Sequence, residues 1–528
     1  MRFNWLAAFL ALCSSGPLAP LVSAASTASA SDAGPAHLVA DLNPGSVAWT
    51  PDQTSIFRSF TRLGDQVLFL GFLSNDVQCG LWATDGTAAG TGRLADLCAE
   101  SLTPQVSSFQ VQILGVSGQL AFLLDSSSRL WRSDGTAAGT FSFGVTVSTD
   151  NAQPVLGLNG LLFVVCDTPG TCTLWRSDGT AAGTGPLRAI TNEPGALTSI
   201  RFFAQGDHML FSVTGAPGVL WTTDGTASGT RPLVSFPDRI GSVLAVGSAL
   251  YVSTAGGGST LWLIPAEGAR PLRLGRFSLD FRSAGVRLFQ AGGRVLFEAD
   301  EGDGVVFLWE IALHNRLRFL ARFGNGMGPI AEVGGQLIFA TAVSESAGSY
   351  SLWVLGPKMG HPHPLRDCPE GCPTIDPAAA QLGVLGGRAV FAGRDQRGSE
   401  LWETDGTGAG TRLVKDLCPG DCDSSPSGFA PALGRLIFTA GDRDLWVTDG
   451  TAAGTTRLGR IISRRNGLDA AELNGRLIFN GFDDVAGSQP WVSDLTVAGT
   501  RQLLSLGGGL AAGSSVQSPE RSPRALAP

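Results

Sequence analysis

Short apolar runs separated by glycine turns recur along the whole chain. Each run follows a Gly-containing turn, as in LGDQVLFLGF from Leu63, GGQLIFATA from Gly334 and LGRLIFTAG from Leu433. A Leu-Trp pair follows each run, and in most copies a polar Asp-Gly turn and a further short stretch, such as TRLVKDL from Thr411, come next. Runs of this length bounded by turn residues predict β-strands. Each unit therefore predicts a four-stranded antiparallel meander.

Ten of the twelve tryptophans mark this repeat, at intervals of 41 to 49 residues. Leu precedes nine of them, and Pro490 precedes the last. Because neighbouring residues of a strand point to opposite faces, an apolar Leu-Trp pair requires both faces of each sheet to be covered. A four-stranded unit of about 45 residues covered on both faces is typical of a β-propeller blade. The predicted blade-core residues are Trp82, Trp131, Trp175, Trp221, Trp262, Trp309, Trp353, Trp402, Trp446 and Trp491.

The sequence thus predicts an all-β protein, a β-propeller of ten four-stranded antiparallel blades. Rings usually have about four to eight blades, so two five-bladed propellers are the alternative. The 47 residues between Trp262 and Trp309 leave no room for a linker, which favours one ring. Residues 37–46 match the end of a repeat and predict a strand that ties the termini together. The last copy also has its own final strand, TRQLLSL from Thr500. The sequence therefore leaves open which of the two strands closes the ring.

Most copies continue from the Leu-Trp pair into Ser/Thr-Asp-Gly-Thr-x-x-Gly-Thr, as in LWRSDGTAAGT from Leu130, whereas the copies around Trp262, Trp309 and Trp353 lack the Asp-Gly-Thr. The aspartates could ligate Ca²⁺, but Ca²⁺ takes about six to eight oxygen ligands and each loop offers one carboxylate. We interpret them as structural turns in which Asp accepts backbone N–H bonds and Gly takes positive φ. The predicted turn residues are Asp85, Asp134, Asp178, Asp224, Asp405 and Asp449.

The repeated phrase Leu-Trp-x-x-Asp-Gly-Thr resembles the ELWxxDGT repeat family of exported bacterial proteins. The resemblance covers about residues 38–507, and only Glu400 supplies the leading Glu of the family motif. It implies a repeat architecture and export, and it implies no specific biochemical activity.

The start of the chain predicts export. A positive Met1-Arg2 start, an apolar stretch over residues 3–13 and the small residues Val22-Ser23-Ala24 are typical of a signal peptide. The apolar stretch is too short to span a membrane, and Cys13 leaves a lipid anchor open as an alternative. We expect a secreted, periplasmic or cell-surface protein. The predicted division is a signal peptide at 1–24, a linker at 25–36, the propeller at 37–507 and a disordered Gly/Ser/Pro tail at 508–528.

Eight cysteines remain after removal of Cys13, and an even number in an exported chain favours disulfides. His361 and His363 precede Cys368 and could complete a zinc site, but the similar Cys418 segment has no histidine, so we predict neither a metal nor a cofactor. The predicted disulfides are Cys79–Cys98, Cys166–Cys172, Cys368–Cys372 and Cys418–Cys422.

Composition narrows the function classes. A net charge of −8 argues against a nucleic-acid partner, and 8% aromatic residues argue against a disordered polymer. No common catalytic fingerprint is present. We therefore predict a monomeric, non-catalytic binding or cell-surface module for an extracellular protein or carbohydrate, and expect its partner site near GPKMGHPHPLRDCPEGC from Gly356. The alternative is an extracellular propeller hydrolase or lyase that acts on polysaccharide through carboxylates and an arginine gathered at the channel.

Overall fold

The computed structural model describes the ring of repeats. The described part is residues 56–503 without residues 73–78, 88, 99–110, 151, 169–170, 192–198, 206–207, 214–216, 257, 278–285, 301–304, 324–326, 343–349, 358–359, 376–380, 421, 442–443, 461–468 and 484–486. The expected signal peptide, linker, strand at residues 37–46 and C-terminal tail lie outside it. Within it no helix is long and apolar enough to cross a membrane.

Forty strands form ten four-stranded sheets, which we number as blades 1 to 10 in chain order. Blades 1 to 5 consist of β1 Ile56–Leu63, β2 Gln66–Phe72, β3 Cys79–Thr84 and β4 Gly92–Asp96; β5 Gln112–Ser117, β6 Leu120–Leu124, β7 Arg129–Ser133 and β8 Phe141–Thr146; β9 Val155–Gly157, β10 Gly160–Thr168, β11 Thr171–Ser177 and β12 Gly185–Thr191; β13 Ile200–Gln205, β14 His208–Val213, β15 Gly218–Thr223 and β16 Arg231–Phe236; and β17 Arg239–Val246, β18 Ala249–Ala255, β19 Ser259–Ile264 and β20 Leu272–Phe277.

Blades 6 to 10 follow the same plan, with one short 3₁₀ turn, Leu313–Asn315, in blade 6. They consist of β21 Arg287–Ala291, β22 Arg294–Asp300, β23 Val306–Ala312 and β24 Arg316–Phe323; β25 Met327–Val333, β26 Gln336–Ala342, β27 Tyr350–Leu355 and β28 His363–Pro364; β29 Leu382–Leu385, β30 Arg388–Asp395, β31 Gly398–Thr404 and β32 Arg412–Lys415; β33 Ser427–Ala432, β34 Arg435–Ala440, β35 Asp444–Thr448 and β36 Thr456–Arg460; and β37 Ala470–Leu473, β38 Arg476–Asp483, β39 Gly487–Ser493 and β40 Arg501–Gln502.

Each blade is an antiparallel meander with its strands in chain order. The first strands of neighbouring blades contact one another, as β1 and β5 do, so the first strand is innermost and the fourth is outermost. A meander places its first and third connections at one end and its second connection at the other. All Gly turns and Asp turns therefore lie on one face of the ring, the turn face. The second connections and the links between blades lie on the opposite face, the loop face.

The ten blades close into one ring, as predicted. Each of ten apolar core clusters lies between two successive blades, and one of them joins Phe57 and Phe69 of blade 1 to Ile478 and Val492 of blade 10. A hydrogen bond from the Phe60 amide to the Asp469 carboxylate, 3.0 Å long, links the same two blades. Two five-bladed rings would not bring blade 1 against blade 10, so that alternative is excluded. Blade 10 builds its outermost strand, β40, from its own repeat.

The Leu-Trp pair joins nine of the ten blades to both neighbours. Leu81 is buried in the core between blades 1 and 2, whereas Trp82 lies in the core between blades 10 and 1. Opposite each Trp on the second strand stands an apolar residue, a Phe in eight of the ten blades; Phe69 and Trp82, for example, stack 6.4 Å apart. Side chains that alternate along the third strand of a blade thus pack against the preceding blade on one face and the following blade on the other, as the sequence pattern requires.

Candidate functional site

The Asp turns bond to themselves, as blade 3 illustrates. Asp178 Oδ1 accepts the Thr180 amide and the Thr180 hydroxyl, both at 2.8 Å, and Thr180 Oγ1 in turn accepts the Gly183 amide at 2.9 Å. The hydroxyls of Ser177 and Thr184 meet at 2.6 Å across the base of the turn. Every polar residue of the phrase Ser/Thr-Asp-Gly-Thr-x-x-Gly-Thr therefore has a partner inside the turn.

The two glycines of the phrase serve different purposes. The first, Gly179, has φ of 89°, which residues with a side chain rarely adopt. The second, Gly183, has no positive φ, but a methyl group there would overlap the Asp178 carboxylate. The second glycine is thus required by the position of the aspartate and not by the backbone.

The same hydrogen bonds hold the carboxylates in their charged form. In four turns the pKa of the aspartate is lowered, mainly because the hydroxyl of the threonine two residues later donates a hydrogen bond to it. The pairs are Asp134 with Thr136, Asp178 with Thr180, Asp224 with Thr226 and Asp449 with Thr451. Burial raises the pKa of Asp405, but its bonds from Thr407 and the charge of Arg388 outweigh burial and lower it. Within the described residues no three His, Cys, Asp or Glu side chains are grouped as metal ligands.

One turn was missed at the sequence level. Asp494 of blade 10 accepts the amide and the hydroxyl of Thr496 at 2.9 and 2.7 Å, as in the other turns. Leu495 occupies the position of the first glycine and takes φ of 64° there. The phrase Ser-Asp-x-Thr-x-x-Gly-Thr, which Asp494 shares with the other copies, is the signal that would have found it.

Glu400, the residue that matches the leading Glu of the ELWxxDGT motif, has a structural environment. It is fully buried and accepts the Leu417 amide at 2.6 Å and the Ser424 hydroxyl at 2.8 Å. Burial raises the pKa of its carboxyl, and these bonds partly oppose the rise. Glu400 therefore anchors the loop that carries Cys418 and Cys422.

Cysteines pair in the combinations expected from the sequence. The pairs are Cys79–Cys98, Cys166–Cys172, Cys368–Cys372 and Cys418–Cys422, with Cα–Cα distances of 5.4, 4.1, 5.0 and 5.7 Å. Disulfides are typical of oxidising compartments. His361 Nδ1 lies 2.8 Å from the Leu320 carbonyl oxygen, and His363 is exposed.

Blade 7 departs most from the repeat, because residues 356–362 replace its Asp turn, its outermost strand, β28, has only two residues, and residues 365–375 continue as a segment beside blade 8. Leu365 and Ile375 are buried in the core between blades 7 and 8, and Ile375 pairs with Tyr350. Beyond the Cys368–Cys372 disulfide, Glu370 forms an ion pair with Arg397 of blade 8 at 2.9 Å. Residues 365–375 are therefore fixed at both ends and in the middle.

A cleft of 920 Å³ opens where this segment meets the turn face of blade 8. Its walls include the polar side chains of Gln336, His363, Arg366, Asp367 and Thr407. The remaining lining residues contribute backbone atoms or apolar side chains; they are Gly334, Gly356, Pro357, Pro364, Leu365, Gly406 and Gly408.

Two Arg-Glu-Arg groups flank the cleft, one in blade 6 and one in blade 8. In blade 6, Glu310 accepts from Arg294 Nε and Arg318 Nε, both at 2.7 Å, and Arg294 Nη1 also donates to the Gly356 carbonyl at 3.4 Å. Although burial raises the pKa of Glu310, the two arginines outweigh burial and lower it. The glutamate is thus a paired anion that fixes one edge of the cleft.

Blade 8 repeats the arrangement at the same positions. Glu403 lies 3.3 Å from Arg388 Nη1 and 2.8 Å from Arg412 Nε, and it is almost completely buried. Arg388 also donates to the Gly410 carbonyl at 2.9 Å, so it holds the Asp turn whose Thr407 lines the cleft.

Carboxylates on the innermost strands are separated from one another. In the described residues these ten strands carry two, Glu332 in blade 7 and Glu472 in blade 10. Each accepts a backbone amide from the Gly turn of the preceding blade, Gly292 at 3.1 Å and Leu433 at 2.8 Å. These strands therefore do not bring two carboxylates together as the hydrolase alternative expects.

Comparisons with known proteins give no family. No family model matches the chain, and no curated protein matches it. Matched solved structures include a computationally designed protein, Ika8 (15% identity, 65% of this chain and 95% of that chain, TM-score 0.34), and BamB from Moraxella catarrhalis (15%, 55% and 96%, TM-score 0.31). A prolyl endopeptidase also matches (13%, 67% and 54%, TM-score 0.33), and the chain spans about half of its length. Likeness at this level carries no statement about function.

Proposed function

We propose that this chain is an exported, non-catalytic β-propeller that binds an extracellular carbohydrate in the cleft between blades 7 and 8. The observation that carries the proposal is the cleft itself, which opens where residues 356–362 take the place of an Asp turn. Its volume of 920 Å³ lies within the range of about 300–1,000 Å³ that is usual for small-ligand sites.

The chemistry of the lining suits a ligand rich in hydroxyl groups. Gln336 both donates and accepts hydrogen bonds, as does the Thr407 hydroxyl, while Arg366 donates and Asp367 accepts. Pro357 and the other apolar lining residues offer surface to the C–H groups of a sugar ring.

The rigidity of the site favours binding. A disulfide, an ion pair and two buried apolar side chains fix residues 365–375, three of which line the cleft, so little conformational entropy is lost when a ligand binds. The four disulfides and the resemblance to exported ELWxxDGT repeat proteins support the exported location.

A glycan array probed with the labelled protein tests the proposal, followed by calorimetry on each glycan that binds. We expect His363→Ala/Arg366→Ala to weaken binding by about tenfold or more, since each removed side chain would contact the ligand. Arg476→Ala, at an exposed position on the turn face of blade 10, serves as the matched control and should bind normally.

Two outcomes would overturn the proposal. One is that no glycan binds, or that the double variant binds as tightly as the parent protein. The other is the appearance of new reducing or unsaturated ends when the glycan is incubated with the protein, which would support the hydrolase or lyase alternative.

A further inference from the structure

The outermost strand of blade 6 is the longest of the described outermost strands. β24 has eight residues and contains neither Gly nor Pro, whereas every other described outermost strand of five or more residues contains at least one. The remaining outermost strands have four residues or fewer. Short length and Pro are devices that prevent a free strand edge from pairing with another chain. β24 is therefore the longest described outer strand and contains no Pro, although a bulge at Leu320 interrupts its edge and the Leu320 carbonyl oxygen already lies 2.8 Å from His361 Nδ1.

Exposed apolar side chains cluster beside this edge. Among the described residues six large hydrophobic side chains are exposed, and three of them, Leu272 (51%), Leu313 (85%) and Phe319 (41%), lie in or next to β20 and β24. The Phe319 ring also lies 5.4 Å from that of Trp309, so the exposed surface continues into the core between blades 5 and 6. Apolar surface gathered in this way marks interaction sites.

The charged residues of the two strands are all arginines. Exposed arginines stand at five positions of β20 and β24, namely Arg273, Arg276, Arg316, Arg318 and Arg322. The acid nearest in sequence on blade 6, Glu310, is buried and already bonded to Arg294 and Arg318. A chain with a net charge of −8 thus carries a positive outer rim at blades 5 and 6.

We propose that β24 docks an extended acidic segment of a partner protein, which adds a fifth strand to blade 6. The backbone edge of residues 316–319 would pair with the segment. Its carboxylates would meet Arg316 on one face of the sheet, and its apolar side chains would cover Phe319 and Leu272 on the other face, where Arg322 adds positive charge. A second copy of this chain fits less well, because β24 contains no carboxylate to meet the arginines of the first copy.

The probe is a fluorescent ten-residue peptide of alternating Glu and Val, measured by fluorescence anisotropy against the full chain. We expect saturable binding that Arg316→Glu/Arg322→Glu weakens by about tenfold or more. Arg316→Gln/Arg322→Gln should give a smaller loss of affinity. This variant replaces the first one in the test if the charge reversal disturbs folding. Arg231→Glu, on the Pro-containing outer strand β16, is the matched control and should bind as the parent does.

Three comparison probes make the test decisive. A peptide with Lys for Glu should not bind, because it lacks the carboxylates. A peptide with alternate Val replaced by Pro should not bind, because it cannot pair with a strand edge. Heparin, added at the same concentration of negative charges as the Glu-Val peptide, should not displace that peptide. The proposal is overturned if the Glu-Val peptide fails to bind, if the arginine variants bind it normally, or if the Pro peptide or heparin binds equally well.

Discussion

The second glycine of each Asp turn offers a sharp test of the turn structure. In blade 3 we consider Asp178→Ala, Gly183→Ala and the double variant. Asp178→Ala removes the two hydrogen bonds of 2.8 Å that Thr180 donates to the carboxylate. Because the turn is partly exposed, we expect the loss of both bonds together to lower the free energy of unfolding by about 1 kcal/mol. Gly183→Ala forces the carboxylate out of its position and disturbs the Gly183 amide bond to Thr180, at a cost of about 1–3 kcal/mol.

The double variant should cost much less than the two single changes together. Once the carboxylate is gone, the three atoms nearest to the methyl group that Gly183→Ala adds are gone as well, so this change should cost under about 0.5 kcal/mol in that background. Gly185→Ala, where a methyl group would have nothing within 4 Å, is the matched control and should be neutral.

Hydrogen exchange measured by mass spectrometry on peptides from residues 171–191 is the suitable assay, because a ten-blade ring need not unfold in a single transition. Additive costs, or a neutral Gly183→Ala in the parent protein, would refute our account of the phrase Thr-x-x-Gly-Thr.

Further predictions concern pH, calcium and ring closure. Five turn aspartates have a lowered pKa in the folded state, namely Asp134, Asp178, Asp224, Asp405 and Asp449. They therefore contribute stability above their unfolded pKa of about 3.9, and this stability is lost as the pH falls through the folded-state pKa. The melting temperature of the parent protein should thus drop more steeply in acid than that of a variant with all five replaced by Asn, and equal pH curves would contradict this. Adding CaCl₂ or EDTA should leave the melting temperature unchanged, whereas a calcium response abolished by Asp178→Ala would show that the turns bind metal. Asp469→Ala leaves the Ser59 and Phe60 amides without their acceptor and should cost about 2 kcal/mol, seen as faster exchange in β1; unchanged exchange would show that this contact does not hold the ring closed.

Local features of the fold could be predicted from the sequence because each depends on neighbouring residues. The Leu-Trp alternation predicted sheets covered on both faces, and the structure places Leu81 and Trp82 in different interfaces. Asp494 was missed since Leu495 replaces the glycine that made the phrase recognisable, although its hydrogen bonds are those of the other turns.

Features that join distant parts of the chain could not be predicted in the same way. The cleft brings together Gln336 of blade 7 and Thr407 of blade 8, and the contact of Arg294 with Gly356, which are 62 residues apart, fixes one of its edges. Ring closure through Asp469 joins residues 409 apart. No periodic pattern records such pairs, so the sequence indicated the sector around residues 356–372 but not the cleft within it.

The measurement that tests the central claim most directly is hydrogen exchange of the full chain with and without a glycan selected on the array. We predict slower exchange confined to the cleft, in peptides that contain residues 334–336, 356–367 and 406–408, with the channel and the loop face unchanged. Protection of the innermost strands or of the loop face, with the cleft unaffected, would contradict the assignment of the cleft as the binding site.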